Sequence, residues 1–129
     1  MGIHPEMHEF SIVKQIVKSI LLVAERYNTK KVAEVNLVIG KLTFLNPLRV
    51  RFFYNLLTED TIIKGSKLFI EEKRGVVKCP SCGYEGDIMY EEDPVHHIRI
   101  PTLHCPRCGG VVEVIGGREC TIKSIKVVA

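Results

Sequence analysis

The sequence predicts an α+β fold: a three-stranded sheet with two helices on one face, interrupted by an inserted zinc-ribbon module. Three observations predict it. Two Cys-x-x-Cys-Gly knuckles, Cys79-Pro80-Ser81-Cys82-Gly83 and Cys105-Pro106-Arg107-Cys108-Gly109, stand 22 residues apart in mid-chain. Two stretches of helical period and two of strand character precede them. One further strand-like stretch, 121–128, follows them, and its only available partners are the two earlier strands. The knuckles therefore form an insertion and not a tail, dividing the chain into 1–75 with 117–129 and a second domain of 76–116.

Residues 1–6 have no period, and Pro5 with its polar neighbours reads as an extended lead-in. From Phe10 the apolar residues Phe10, Val13, Ile16, Val17, Ile20, Leu21, Ala24 and Tyr27 recur at helical spacing, with Asn28-Thr29 as the stop. Residues 32–39 alternate, which places Ala33, Val35, Leu37 and Ile39 on one face of a half-buried strand closed by Gly40. Asn46-Pro47 is an N-cap followed by proline at the first helical position. The helix it starts runs to about Leu57, with Leu48, Phe52, Leu56 and Phe53 expected inside. Gly65 precedes a strand over 67–73 that points Leu68 and Ile70 inward. In the last strand, Ile122 and Ile125 fall out of phase, which predicts a bulge.

Each knuckle turns two sulfurs towards one point, and the following glycine relieves strain where backbone amides turn towards the thiolates. Together Cys79, Cys82, Cys105 and Cys108 offer four soft ligands, the set a structural Zn²⁺ takes in tetrahedral geometry with no position left open. Two disulfides and an iron–sulfur cluster are the alternatives. Disulfides require an oxidising compartment, and no secretory signal is present in this sequence. The fifth cysteine, Cys120, sits in a strand-like stretch and reads as a buried free thiol.

Composition narrows the function. With 46% hydrophobic and 26% charged residues the chain is of globular type, and no apolar run approaches the roughly 20 residues of a membrane helix. A net charge of +3, with lysines and glutamates interspersed, does not argue for nucleic acid. No nucleophile–base pairing, glycine-rich phosphate loop or open metal site suggests an enzyme. Cysteines held in knuckles suit the reducing cytoplasm.

Met7-His8-Glu9-Phe10-Ser11, a first helix, a strand ending Ile39-Gly40 and two Cys-x-x-Cys knuckles together resemble the HypA family of nickel metallochaperones for [NiFe]-hydrogenase maturation. The resemblance runs from Met7 to about Val128. It implies a nickel site at the opening Met-His-Glu: His8 through imidazole and amide, Glu9 through its amide and Met7 through a terminal amine. Such nitrogens form a near-planar array that suits Ni²⁺. Here Met7 is preceded by six residues and carries a free amine only if the chain begins there. With Met1 removed, Gly2-Ile3-His4 would offer an equivalent chelate through His4. His96, His97 and His104, in the long excursion between the knuckles, are weaker nickel candidates, with solvated loop histidines as the plain alternative. The resemblance also implies a HypB-type GTPase and a hydrogenase large-subunit precursor as partners, without nucleic acid or membrane. Exchange of the zinc module between two chains would give a homodimer. The competing reading is a zinc-ribbon nucleic-acid-binding or transcription-associated protein, which the lack of a Lys/Arg stripe opposes.

Overall fold

The computed structural model describes residues 8–96 and 99–129 in full and the backbone of 5–7 and 98. The chain divides into two compact units, one of residues 1–39, 44–72 and 120–129, the other of residues 40–43 and 73–119.

In the first unit, helix α1 spans Pro5–Arg26. It begins earlier than the expected Phe10: proline has no N–H to lose in a first turn, so Pro5 is compatible with helix there. The helix ends in a Schellman motif. Asn28 takes φ 51°, and the amides of Thr29 and Asn28 donate to the carbonyls of Ala24 and Glu25 at 3.0 and 3.2 Å. Val13, Ile16, Val17, Ile20 and Ala24 are buried, each valine and isoleucine contributing roughly 1.5–3 kcal/mol. Tyr27, expected on this stripe, lies past the last helical residue and is exposed.

Strand β1, Lys31–Gly40, is the centre of a three-stranded sheet between β2, Lys67–Lys73, and the final strand β8, Cys120–Val128. β1 and β8 run antiparallel, with Val35 opposite Ile125 and Leu37 opposite Ile122. Lys123 is left over between Ser124 and Ile122, the bulge that returns Ile122 and Ile125 to one face. A second irregularity falls at Ala33, between Val32 and Glu34. It shifts the expected phase, so that Val32 is buried in place of Ala33. The opposite face is polar: Asn36 Nδ2 donates to Glu34 Oε2 at 3.0 Å and to Ser124 Oγ at 3.1 Å. Lys126 pairs with Glu34, and Lys123 with Glu71.

Helix α2, Pro47–Leu57, is capped by Asn46, whose Oδ1 accepts from Leu48 N at 2.9 Å. Its buried face differs from the expected one. Val50 and Tyr54 are inside, with Phe53 and Leu57 against them, while Leu48, Phe52 and Leu56 are exposed. Both flanks of this helix are apolar, so periodicity could not choose between them. Polar anchors set its rotation: Tyr54 Oη bonds Ser66 Oγ, and Arg51 Nη1 donates to Leu68 O at 2.7 Å. Both helices share one core with Val32, Val35, Leu37 and Ile39 of β1 and Leu68 of β2.

In the second unit, β3 (Val76–Lys78) lies between β4 (Glu85–Asp87) and β7 (Glu113–Gly116), all antiparallel. The excursion between the knuckles is not a plain loop. It contains β4 and a hairpin of β5 (Met89–Asp93) and β6 (Ile98–Thr102), which puts the acidic run Glu91-Glu92-Asp93 in a strand. Val77, Cys79, Ile88, Cys105 and Val112 form this unit's own core. Where Gly40 meets Gly117 the backbones touch: a Cβ on Gly40 would stand 2.8 Å from Arg118 N and closer still to the Gly117 carbonyl.

Candidate metal centres

The two knuckles repeat one local design. Cys79 and Cys105 each accept at their carbonyl, at 2.9 Å, from Gly83 N–H and Gly109 N–H respectively. Each also donates its own amide at 2.7 Å to the carbonyl five residues on, Tyr84 and Gly110. Gly83 and Gly109 take φ 81° and 76°, the left-handed conformation that closes such a turn. The Arg107 guanidinium stands 5.6 Å from the centroid of the Tyr84 ring, tying one knuckle to the other.

The four Sγ atoms lie within 4.8 Å of one another. The pairs Cys79–Cys108 and Cys82–Cys105 are each 3.5 Å apart. Sulfurs placed tetrahedrally around zinc at about 2.3 Å would be about 3.8 Å apart, so the quartet fits that ion. Cys79 and Cys105 are buried, Cys82 and Cys108 exposed. Amides point at the sulfurs: Arg107 N and Cys108 N at Cys105 Sγ, 3.3 and 3.5 Å, and Gly110 N at Cys108 Sγ, 3.4 Å. At Cys105 burial opposes the thiolate, but the amides of Cys108 and Arg107 outweigh it and bring the pKa down to about 6. The amide of Cys82 lowers that of Cys79. The Tyr84 amide alone would favour a Cys82 thiolate, yet burial and the neighbouring thiols carry that group up to about 12. Cys79 and Cys105 are shifted down while Cys82 and Cys108 are shifted up, as hydrogen bonds between the paired thiols favour one thiolate of each pair. A divalent cation would hold all four as thiolates. Among the described residues these four cysteines are the one group of three or more metal-binding side chains brought together.

The model of the HypA family, "Hydrogenase/urease nickel incorporation, metallochaperone", matches residues 7–127. The chain belongs to this family. The HypA hydrogenase maturation factor of Methanothermobacter thermautotrophicus is 39% identical over 122 residues, covering 94% of this chain and 97% of that protein. The HypA of Pyrococcus horikoshii is 34% identical over 137 residues, covering 94% and 96%. In structure the chain resembles the Helicobacter pylori protein described as the Ni metallochaperone HypA, with TM-score 0.64, 17% identity and coverage of 94% and 97%. At that identity the likeness speaks for the fold. HypA membership sets the chain among the nickel-incorporation metallochaperones and disfavours the nucleic-acid reading of its ribbon.

The sequence-predicted nickel residues fall at the start of α1. His8 is exposed there, and Glu9 beside it is buried. Asn46 N–H donates to Glu9 Oε2 at 2.7 Å, and Arg49 Nη1 stands 3.4 Å from Oε1. Sequence reasoning missed this tie between the first turns of two helices; no local signal pairs residue 9 with 46. Met7 lies in the helix by its backbone. His4 and His97 lie outside the described residues. His96 is exposed at the hairpin turn, its Nδ1 2.8 Å from Asp93 Oδ2. That contact first, and the Val95 amide second, hold the Asp93 carboxyl below its usual range. His104 is exposed and forms a lone bridge with Val111. Cys120 is half-buried against the main core, and burial raises its pKa, as expected of a structural thiol. No helix among the described residues is long and apolar enough to cross a membrane.

Proposed function

We propose that the chain carries Ni²⁺ as cargo and delivers it to a [NiFe]-hydrogenase large-subunit precursor, in the cytoplasm, without catalysing a reaction. The observation that carries this reading is the family match over residues 7–127, which begins at Met7 and takes in Met7-His8-Glu9. Nickel is held by the His8 imidazole and the nitrogens around it, with the Met7 amine as donor on a chain that begins there. On a chain bearing residues 1–6, His4 is the competing donor; His96, His97 and His104 are weaker ones. The nickel-binding domain is read as residues 1–75 and 117–129 and the zinc ribbon as 76–116, although residues 40–43, 73–75 and 117–119 cluster with the ribbon in the second compact unit. Zn²⁺ on Cys79, Cys82, Cys105 and Cys108 is structural: protein fills all four positions, leaving none for a substrate. A HypB-type GTPase is the partner in delivery.

The helix gives this proposal a physical constraint. In an i→i−4 ladder the Glu9 amide donates to the Pro5 carbonyl. On a chain bearing residues 1–6, ligation through that amide therefore requires the first turn of α1 to open; a chain that begins at Met7 has no Pro5 carbonyl to hold that amide. The buried Glu9 carboxylate stays on Asn46, so the helix beyond it remains seated while the turn before it unwinds.

Nickel titration of the zinc-loaded chain tests the reading. His8→Ala should abolish or strongly weaken binding of one Ni²⁺ while zinc content and circular dichroism stay unchanged. If His8→Ala and His4→Ala both bind nickel like the parent, the N-terminal assignment is wrong.

A further inference from the structure

We infer that the second unit carries a phosphate-binding cleft, separate from both metal centres. A cleft of about 280 Å³ is lined by Lys41, Arg74, Gly75, Asp87, Ile88, Tyr90 and Arg99, all residues of that unit. Its base is closed by the Ile88 amide, which donates to the Gly75 carbonyl at 3.0 Å. Gly75 and Ile88 are buried, while the charged residues stand exposed around them.

Charge and geometry together choose the ligand. Three cations face one carboxylate, Asp87, which Arg74 Nε engages at 3.1 Å. That leaves two positive charges, from Lys41 and Arg99, without a carboxylate partner among the described residues. Arg99 has an alternative it does not use: Glu92 stands directly opposite it in the hairpin. Its guanidinium lies instead over the Tyr90 ring, 4.5 Å from the centroid. A guanidinium over an aromatic face is held by the ring without spending its N–H donors on a carboxylate, and its planar fork matches the oxygens of a phosphate. Lys41, a point charge, complements it from the short helical turn Lys41–Thr43. Two uncompensated positive charges match the charge of about −1.5 to −2 on a phosphate monoester at neutral pH.

The shared chemistry is a phosphate dianion. Its source is either free phosphate or the terminal phosphate of a nucleotide, whose base would add stacking on Tyr90. This cleft does not depend on the nickel reading.

The test uses the zinc-loaded full chain at low ionic strength, where such contacts are least screened. Inorganic phosphate and AMP are titrated separately while the amide resonances of Gly75 and Ile88 are followed. Saturable shifts at both amides are expected with phosphate. Arg99→Gln and Lys41→Gln should each weaken binding about tenfold, the effect of losing one charge-assisted contact, with zinc content unchanged. Lys64→Gln, in the other unit and paired with Glu59, should leave it unchanged. AMP binding more tightly than phosphate, with the gain lost in Tyr90→Leu, assigns the nucleotide; equal binding assigns free phosphate. Absence of saturable shifts, parent-like binding in both variants, or equal weakening by Lys64→Gln overturns the proposal.

Discussion

Replacing Glu9 by alanine should destabilise the first unit by about 2 kcal/mol. The carboxylate is buried and accepts from the Asn46 amide at 2.7 Å; a hydrogen bond to a charged group contributes roughly 1.5–3 kcal/mol. Asn46 itself is exposed, so water can replace the lost acceptor, which keeps the loss near the lower end. The Arg49 contact, at 3.4 Å with that side chain 44% exposed, adds at most about 0.5 kcal/mol. Glu9→Gln keeps a neutral acceptor for the same amide and should lose about 1 kcal/mol. For a folding unit of this size, 2 kcal/mol moves Tm by roughly 10 °C. Two units need not melt together, so the loss should be read by hydrogen exchange at the Asn46 amide alongside the melt of the helical signal. A Glu9→Ala melt within 0.5 kcal/mol of the parent, with unchanged exchange at Asn46, would refute the reasoning. Nickel separates the roles of side chain and backbone: a variant that keeps the tie, Glu9→Gln, should still bind it, because the proposed donor is the amide.

Three further outcomes can be checked. Cys82→Ala should release zinc and unfold the ribbon, since metal binding free energy is folding free energy there; elemental analysis and two-dimensional NMR should show zinc gone and the signals of β1 and β8 retained. Val50→Ala should destabilise by about 2 kcal/mol and Leu48→Ala by under about 0.5 kcal/mol in urea melts, and the reverse order would restore the face expected from sequence. His96→Ala should return the Asp93 carboxyl towards the ordinary value of about 3.9, measured by NMR titration. Because the folded carboxyl titrates below that value, its contribution is present above about pH 4 and is lost as pH falls through the folded pKa; an unchanged Asp93 titration would rule out His96 as its main partner.

What could be read from the sequence was what neighbouring residues decide. The knuckles carry their geometry in four-residue spacings, and Asn46-Pro47 announces a helix start by its own chemistry. The phase break between Ile122 and Ile125 marked the bulge at Lys123 because alternation itself was interrupted. What could not be read depends on residues far along the chain. α2 has apolar side chains on both flanks, and Tyr54, turned inward onto Ser66, selects the buried one. The hairpin of β5 and β6 was hidden because Glu91, Glu92 and Asp93 have little strand preference and gain it only by pairing. The approach of Gly40 to Gly117 and the tie of Glu9 to Asn46 leave no local trace. At the nickel end, the residue types were legible, but the helix that holds their amides was not, because Pro5 was read as part of an extended lead-in when it stands in the first turn.

The central strand of the main sheet has one partner, β2, made soon after it and another, β8, made only after the entire ribbon. During synthesis the helices and β2 can gather on β1 early, but one edge of β1 must wait. Through that interval the nascent chain has an unpaired strand carrying Val35, Leu37 and Ile39 beside a ribbon whose four thiols are already complete. Pairing over so long a separation is slow, and an exposed edge is a site for wrong partners. Zinc capture, being local, can precede it and shorten the loop that must close. Cells short of zinc would then be expected to yield misassembled chains before they yield chains merely lacking metal.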